Sequence, residues 1–84
     1  MEIELHKNFK KRFRKLPLKV KQQFYERIGL FIENKYDETL NNHSVEKAYP
    51  DCRSINVTGD HRAIYREQED VIIFITIGTH SQLY

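Results

Sequence analysis

Val71-Ile72-Ile73-Phe74-Ile75-Thr76-Ile77, followed by Gly78-Thr79-His80-Ser81-Gln82-Leu83-Tyr84, is the stretch on which the fold turns. Its first half is an almost unbroken apolar, β-branched run, and it reads as a strand buried on both faces. A glycine then breaks the strand, and a histidine, two hydroxyl residues and an aromatic follow directly. A core strand that delivers His80 and Tyr84 to one fixed place makes a working edge, because rigid scaffolds position chemical groups best.

Upstream of that run lie two further strands. Residues 53–58 alternate, with Ile55 and Val57 on one face and Ser54, Asn56 and Thr58 on the other. Gly59-Asp60 supplies a turn, residues 61–67 form the next strand, and the acidic Gln68-Glu69-Asp70 turn leads into residues 71–77. Connections this short force an antiparallel meander.

The N-terminal half reads as helical. Residues 3–6 form a short strand with Ile3 and Leu5 on one face. A helix over 8–15 carries Phe9, Phe13 and Leu16 at helical spacing, and Pro17 stops it. A longer helix over 18–34 presents Val20, Phe24, Ile28, Phe31 and Ile32 as an apolar stripe. The tight connection makes the two helices an antiparallel hairpin. Residues 35–51 are polar and irregular and read as a long connecting loop, a kind that is uncommon and often functional. The order strand, helix, helix, strand, strand, strand predicts an α+β domain over residues 1–84, an antiparallel sheet with the helical hairpin on one face. The other face, lined by Asn56, part of the His61-Arg62 strand and the C-terminal residues, is left free for a partner.

At 84 residues the chain holds one core. No stretch approaches the roughly 18 apolar residues of a membrane helix. Met1-Glu2-Ile3-Glu4 lacks a signal peptide's basic-then-apolar pattern, and the lone Cys52 fits a reducing cytoplasm as a half-buried structural thiol. The charge is uneven: Lys7, Lys10, Lys11, Arg12, Arg14, Lys15, Lys19 and Lys21 fall in residues 5–25 with no acid among them, and the remainder is net negative. Such a block suits either a polyanion or acidic partner, or a solvated helix face.

Metal and nucleotide motifs are missing: His6, His43, His61 and His80 lack zinc-type spacing, and three glycines make no phosphate-cradling loop. What remains is a polar cluster at adjacent strand ends. Asp60, His61 and Arg62 open the second meander strand, and His80 lies just past the end of the third, so these groups converge in a hairpin. Arg53 and His43 can reach the same side. Histidine, carboxylate and arginine together suit phosphodiester chemistry. Arginine holds a phosphate bidentately and stabilises charge on its oxygens, while histidine gives or takes a proton near neutral pH. Each also has a structural reading: Asp60 as a turn residue, Arg62 as a cross-strand partner of Glu67 or Asp70, Tyr84 as a cover for the sheet edge.

The segment Arg53-Ser54-Ile55-Asn56-Val57-Thr58-Gly59-Asp60-His61-Arg62-Ala63-Ile64-Tyr65, with Gly78-Thr79-His80-Ser81 and Leu83-Tyr84, resembles the RelE/YafQ-type toxins of bacterial toxin–antitoxin systems. Leu5-His6-Lys7-Asn8-Phe9-Lys10-Lys11 and Leu40-Asn41-Asn42-His43 match the YafQ-like branch, so the likeness spans the chain. It implies a RelE-like fold and an mRNA interferase, an endoribonuclease that cuts the message in the ribosomal A site without metal or cofactor. By that likeness His80, Asp60, Arg62 and His43 are the catalytic set. The ribose 2′-hydroxyl attacks the adjacent phosphate to leave a 2′,3′-cyclic phosphate. His80 protonates the leaving 5′-oxygen, Asp60 or His43 accepts the 2′ proton, and Arg62, helped by Arg53, stabilises the charge. Arg53, Asn56, His61, Tyr84, Lys10, Lys11 and Arg14 are the expected RNA contacts, with Tyr84 and His61 stacking on bases. The implied partners are mRNA on the ribosome, ribosomal RNA and a cognate antitoxin.

Two positions depart from the pattern. Asn56 stands where YafQ-like proteins carry a strand histidine, and Thr76 where they carry an arginine, a phosphate clamp that Arg62 or Arg53 can replace. Two other readings share the fold: a ParE-like toxin that inhibits DNA gyrase by binding, and a degenerate toxin that only binds its antitoxin.

Overall fold

The computed structural model describes every residue from Met1 to Tyr84. Its elements are β1 (Glu2–Leu5), α1 (Lys7–Arg14), α2 (Leu18–Glu33), a 3₁₀ turn (Glu38–Leu40), β2 (His43–Ser44), β3 (Cys52–Asn56), β4 (His61–Gln68), β5 (Val71–Thr79) and α3 (His80–Leu83). The five strands form one sheet in the order β1-β5-β4-β3-β2. The helical hairpin packs on one face, giving the α+β arrangement expected from the sequence.

The meander is antiparallel, β3 with β4 and β4 with β5, as its short turns require. The sheet as a whole is mixed, which corrects the expectation of a wholly antiparallel one. β1 runs parallel to β5, pairing Glu2 with Val71 through Leu5 with Phe74. Short turns fix the sense of consecutive strands only, and β1 reaches β5 through the whole helical hairpin and meander. The long loop is also more ordered than its composition suggested. Asp37 caps a 3₁₀ turn by accepting from Thr39 N–H at 2.9 Å, and His43–Ser44 then adds a fifth strand beside β3.

The core is aromatic. Phe9 of α1 lies 5.1 Å from Phe24 of α2 and 5.9 Å from Phe74 of β5, centroid to centroid. Phe31 packs edge-on against Tyr65 at 5.1 Å. Ile55, Val57, Ala63, Ile72 and Ile77 complete this layer. Ile32, expected in the apolar stripe of α2, is 57% exposed, because one residue past Phe31 the helix has turned it about 100° away from the sheet.

β5 is not buried equally on both faces. Val71, Ile73 and Ile75 are half-buried while Ile72 and Phe74 are buried. Tyr65 pairs with Phe74 but Ile64 pairs with Thr76, so Ile75 is an extra residue, a β-bulge. The bulge lets both Phe74 and Ile77 face the helices, and it turns Thr76 and Gly78 to the opposite face. That face carries a smaller cluster of Cys52, Ile64 and Leu83, flanked by Val45, Tyr49 and Ile75. Burial pushes the Cys52 thiol up, outweighing the pull of Arg66, so it is an inert packing group at neutral pH. Gly78 does not break the strand, which continues through Thr79.

Phe74 touches Phe9, Phe24, Phe31 and Tyr65 at once. Phe74→Ala should cost about 3–5 kcal/mol in urea unfolding. Ile32→Ala, at an exposed position, should stay within about 0.5 kcal/mol of wild type.

Candidate functional site

The open face of the sheet holds a cavity of about 210 Å³, lined by His43, Ser44, Val45, Ser54, Arg62, His80 and Tyr84. Three of the four residues nominated as catalytic therefore meet in one place, with the nominated aromatic beside them. Register accounts for this. On β3 and β4, Ser54, Asn56, Arg62 and Ile64 share the face opposite the helices, and His43 of β2 pairs with Ser54.

His43 owes its position to Asn42. The Asn42 amide nitrogen donates to the Lys35 carbonyl at 2.8 Å and to the Tyr65 hydroxyl at 2.7 Å, and its oxygen accepts from Arg53 Nε at 2.8 Å. Asn41, in the left-handed region at φ 46°, turns its carbonyl to His43 Nδ1 at 2.8 Å. A carbonyl only accepts, so Nδ1 carries a proton, and the tautomer this favours has its lone pair on Nε2.

His80 opens α3, a single turn held from two sides. Thr79 caps it reciprocally with Gln82: Thr79 Oγ1 accepts from Gln82 N–H at 3.3 Å, and Gln82 Oε1 accepts from Thr79 N–H at 2.9 Å. From the loop, the Tyr49 hydroxyl donates to the Leu83 carbonyl at 2.7 Å, and its ring meets Tyr84 edge-on at 5.9 Å. The His80 and Tyr84 rings lie 4.8 Å apart. Burial and Tyr49 push the Tyr84 phenol up, against Ser54 and Arg62, so it remains a protonated donor at neutral pH.

Arg62 forms no ion pair; the single one in the protein joins Lys35 and Glu67 at 2.7 Å. Its hydrogen bonds run through Nη1, to the carbonyls of Thr58, Gly59 and His61, each at 3.1 Å. One nitrogen fixes the guanidinium and the others stay available. Beneath the cavity Ser54 is fully buried; its Oγ lies near enough to the Tyr84 phenol to pull it down but makes no hydrogen bond of good geometry, and neither does the buried Asn56 Oδ1. Asn56 stands directly across from Arg62. Buried polar atoms without a partner are uncommon in folded proteins, and Arg27 Nε on α2 is a third.

The remaining nominees lie elsewhere. Asp60 is exposed at the β3–β4 turn and does not line the cavity. His61 alternates to the helix side, where Nδ1 meets Thr58 Oγ1 at 3.0 Å. Arg53 also faces that side, bound to Asn42 and over the Tyr36 ring at 5.7 Å. Arg53 therefore does not line the cavity. On α1, Lys11 lines a second groove, whereas Lys10 and Arg14 stand exposed outside it. The sequence reading passed over Ser54, Tyr49 and Arg12. Ser54 was detectable, two residues before Asn56 on the same strand face. Tyr49 acts across 34 positions on Leu83 and leaves no local signal. No three His, Cys, Asp or Glu side chains gather as a metal site requires, and no helix is long and apolar enough to cross a membrane.

A small mixed sheet backed by a helical hairpin is a fold this chain shares with solved bacterial toxins, and the family match makes it a toxin of a type II toxin–antitoxin system. The family described as bacterial toxin of type II toxin–antitoxin system, YafQ, matches residues 1–84, and the chain belongs to that family. YafQ from Escherichia coli strain BL21(DE3) has a similar structure, with 21% identity, a TM-score of 0.82, and 99% of this chain and 97% of that chain covered. The toxin in the E. coli DinJ–YafQ toxin–antitoxin complex matches at 21% identity and TM-score 0.80, covering 99% and 96%. A YoeB/ParE toxin from Agrobacterium tumefaciens matches at 12% and 0.77, covering 95% and 99%. A comparison with curated proteins returned no significant match.

Asn42→Ala strands the buried Tyr65 hydroxyl and frees Arg53, so it should cost about 1–3 kcal/mol of stability in urea unfolding. It should also broaden the His43 ring signals in NMR, because the segment presenting that ring loses its anchor.

Proposed function

We propose that the chain is an endoribonuclease toxin that cuts mRNA in the ribosomal A site and is neutralised by a cognate antitoxin in the cytoplasm. The observation that carries this reading is the meeting of His43, Arg62 and His80 in one cavity, with His43 Nε2 left as an acceptor by the Asn41 carbonyl. Antitoxin pairing is supported by the DinJ–YafQ complex of a similar toxin.

The nucleophile is the substrate's own 2′-hydroxyl, so the reaction needs no metal. His43 Nε2 takes the 2′ proton as the oxygen attacks the adjacent phosphorus. The P–O5′ bond breaks, His80 protonates the leaving oxygen, and a 2′,3′-cyclic phosphate remains. Of the two groups considered as base, His43 suits the role because it lines the cavity and Asp60 does not. Arg62 faces the charge that develops on the non-bridging oxygens, already oriented by three carbonyls. Tyr84 supports a base or donates its hydroxyl to the phosphate.

The test is incubation with programmed ribosomes, mapping cuts by primer extension and assaying cyclic phosphate ends. Wild type should cut within the A-site codon. His80→Ala and His43→Ala should each lose about 10²–10⁴-fold in rate, and Arg62→Ala about 10²–10³-fold, all with folding intact. Uncut message, together with gyrase-linked DNA breaks in expressing cells, would point instead to a ParE-like inhibitor.

A further inference from the structure

Beside the catalytic cavity runs a larger groove of about 870 Å³, between α1 and the open face of the sheet. Lys11, Arg12, Lys15 and Arg66 line it, with His6 and Gln82, and no carboxylate does. Of these four cations only Arg12 is withdrawn from solvent. It is half-buried, takes no hydrogen bond or ion pair within the protein, and lies over Gly78, where an added Cβ would come within 3.3 Å of its Nη2. Gly78 pairs directly with Arg62 across the β4–β5 ladder. Gly78 thus lies between Arg12, which has no partner within the protein, and Arg62, which is held through Nη1 alone.

We propose that this groove binds the RNA backbone next to the scissile bond and that Arg12 clamps the neighbouring phosphate. The inference rests on the nuclease reading for the identity of the anion. Like charges held together without a counter-charge repel, and a half-buried arginine without an acceptor has given up water for nothing in the free protein. A polyanion relieves both conditions. Its backbone fits because several cations share one groove, Gly78 links Arg12 to Arg62, and a planar guanidinium pairs bidentately with a phosphate. The absence of a side chain at Gly78 is what admits Arg12, since a Cβ there would also meet Gln82 Oε1 at 2.9 Å.

The probe is a ribosome programmed with a message carrying 2′-O-methyl groups in the A-site codon, which binds without being cut. Arg12→Ala should weaken toxin binding about tenfold or more and reduce the slope of log K against log salt by about 0.7, one phosphate contact on a single strand. Arg12→Lys, which keeps charge and stem but not the fork, should restore the slope and only part of the affinity. Damaged packing would not produce that rescue. Unchanged affinity and slope in Arg12→Ala would overturn the proposal, even if capture of an acidic peptide were weakened. Failure of wild type to cut an unmodified message, with Arg12-dependent binding retained, would overturn the nuclease reading and leave the groove standing.

Discussion

One extra residue in β5 sets the geometry on which the site depends. Side chains alternate along a strand, so a register slip of one residue exchanges the faces of everything beyond it. The bulge at Ile75 makes that exchange once, in the middle of the central hairpin. Before it, Ile72 and Phe74 meet the helices; after it, Ile77 takes the same side, and Thr76 and Gly78 turn to the open face. Strict alternation would have sent Ile77 outward and filled the place of Gly78 with a β-branched side chain. The aromatic core and the space beside Arg62 follow from the same bulge.

The site built on that face is held by contacts that leave its working atoms free. Asn42 ties the His43 segment to Tyr65, Lys35 and Arg53, and the Asn41 carbonyl occupies the Nδ1 ring nitrogen. Arg62 is fixed through Nη1 alone. His80 sits on a one-turn helix capped by Thr79 and Gln82 and pinned by Tyr49. Each anchor spends one hydrogen-bonding group and keeps the other for a substrate, the economy expected of a preorganised site. Ser54 and Asn56 lie below it, each with a buried oxygen that has no hydrogen-bond partner in the protein.

Much of the fold was legible because it rests on short-range rules. The period of Phe9, Phe24 and Phe31 marks the helix faces, Pro17 separates the helices, and the short turns impose the meander. The meeting of His80 with Arg62 followed from hairpin geometry. Long-range pairings were not legible. β1 lies parallel to β5 although no local pattern distinguishes the sense of an edge strand, and β2 forms from a polar dipeptide because β3 offers it a free edge. Arg53 and His61 were misplaced for one reason: each differs by one position from a residue that does face the cavity, and one position is one face. Asp60 remained with its turn. Gly78 was read as a strand breaker, whereas it lets Gln82, four residues on, and Arg12, more than sixty residues back, approach the backbone closely.

The central claim is that one phosphodiester sits between His43 and His80 against Arg62 on the open face of the sheet. A structure of the toxin on a ribosome programmed with the 2′-O-methyl message tests it most directly. The account predicts the blocked phosphate within hydrogen-bond reach of the Arg62 guanidinium, about 2.6–3.2 Å, with His43 Nε2 and the His80 ring on opposite sides of it. A message lying against the helix-covered face, or a phosphate out of reach of both imidazoles, would contradict it.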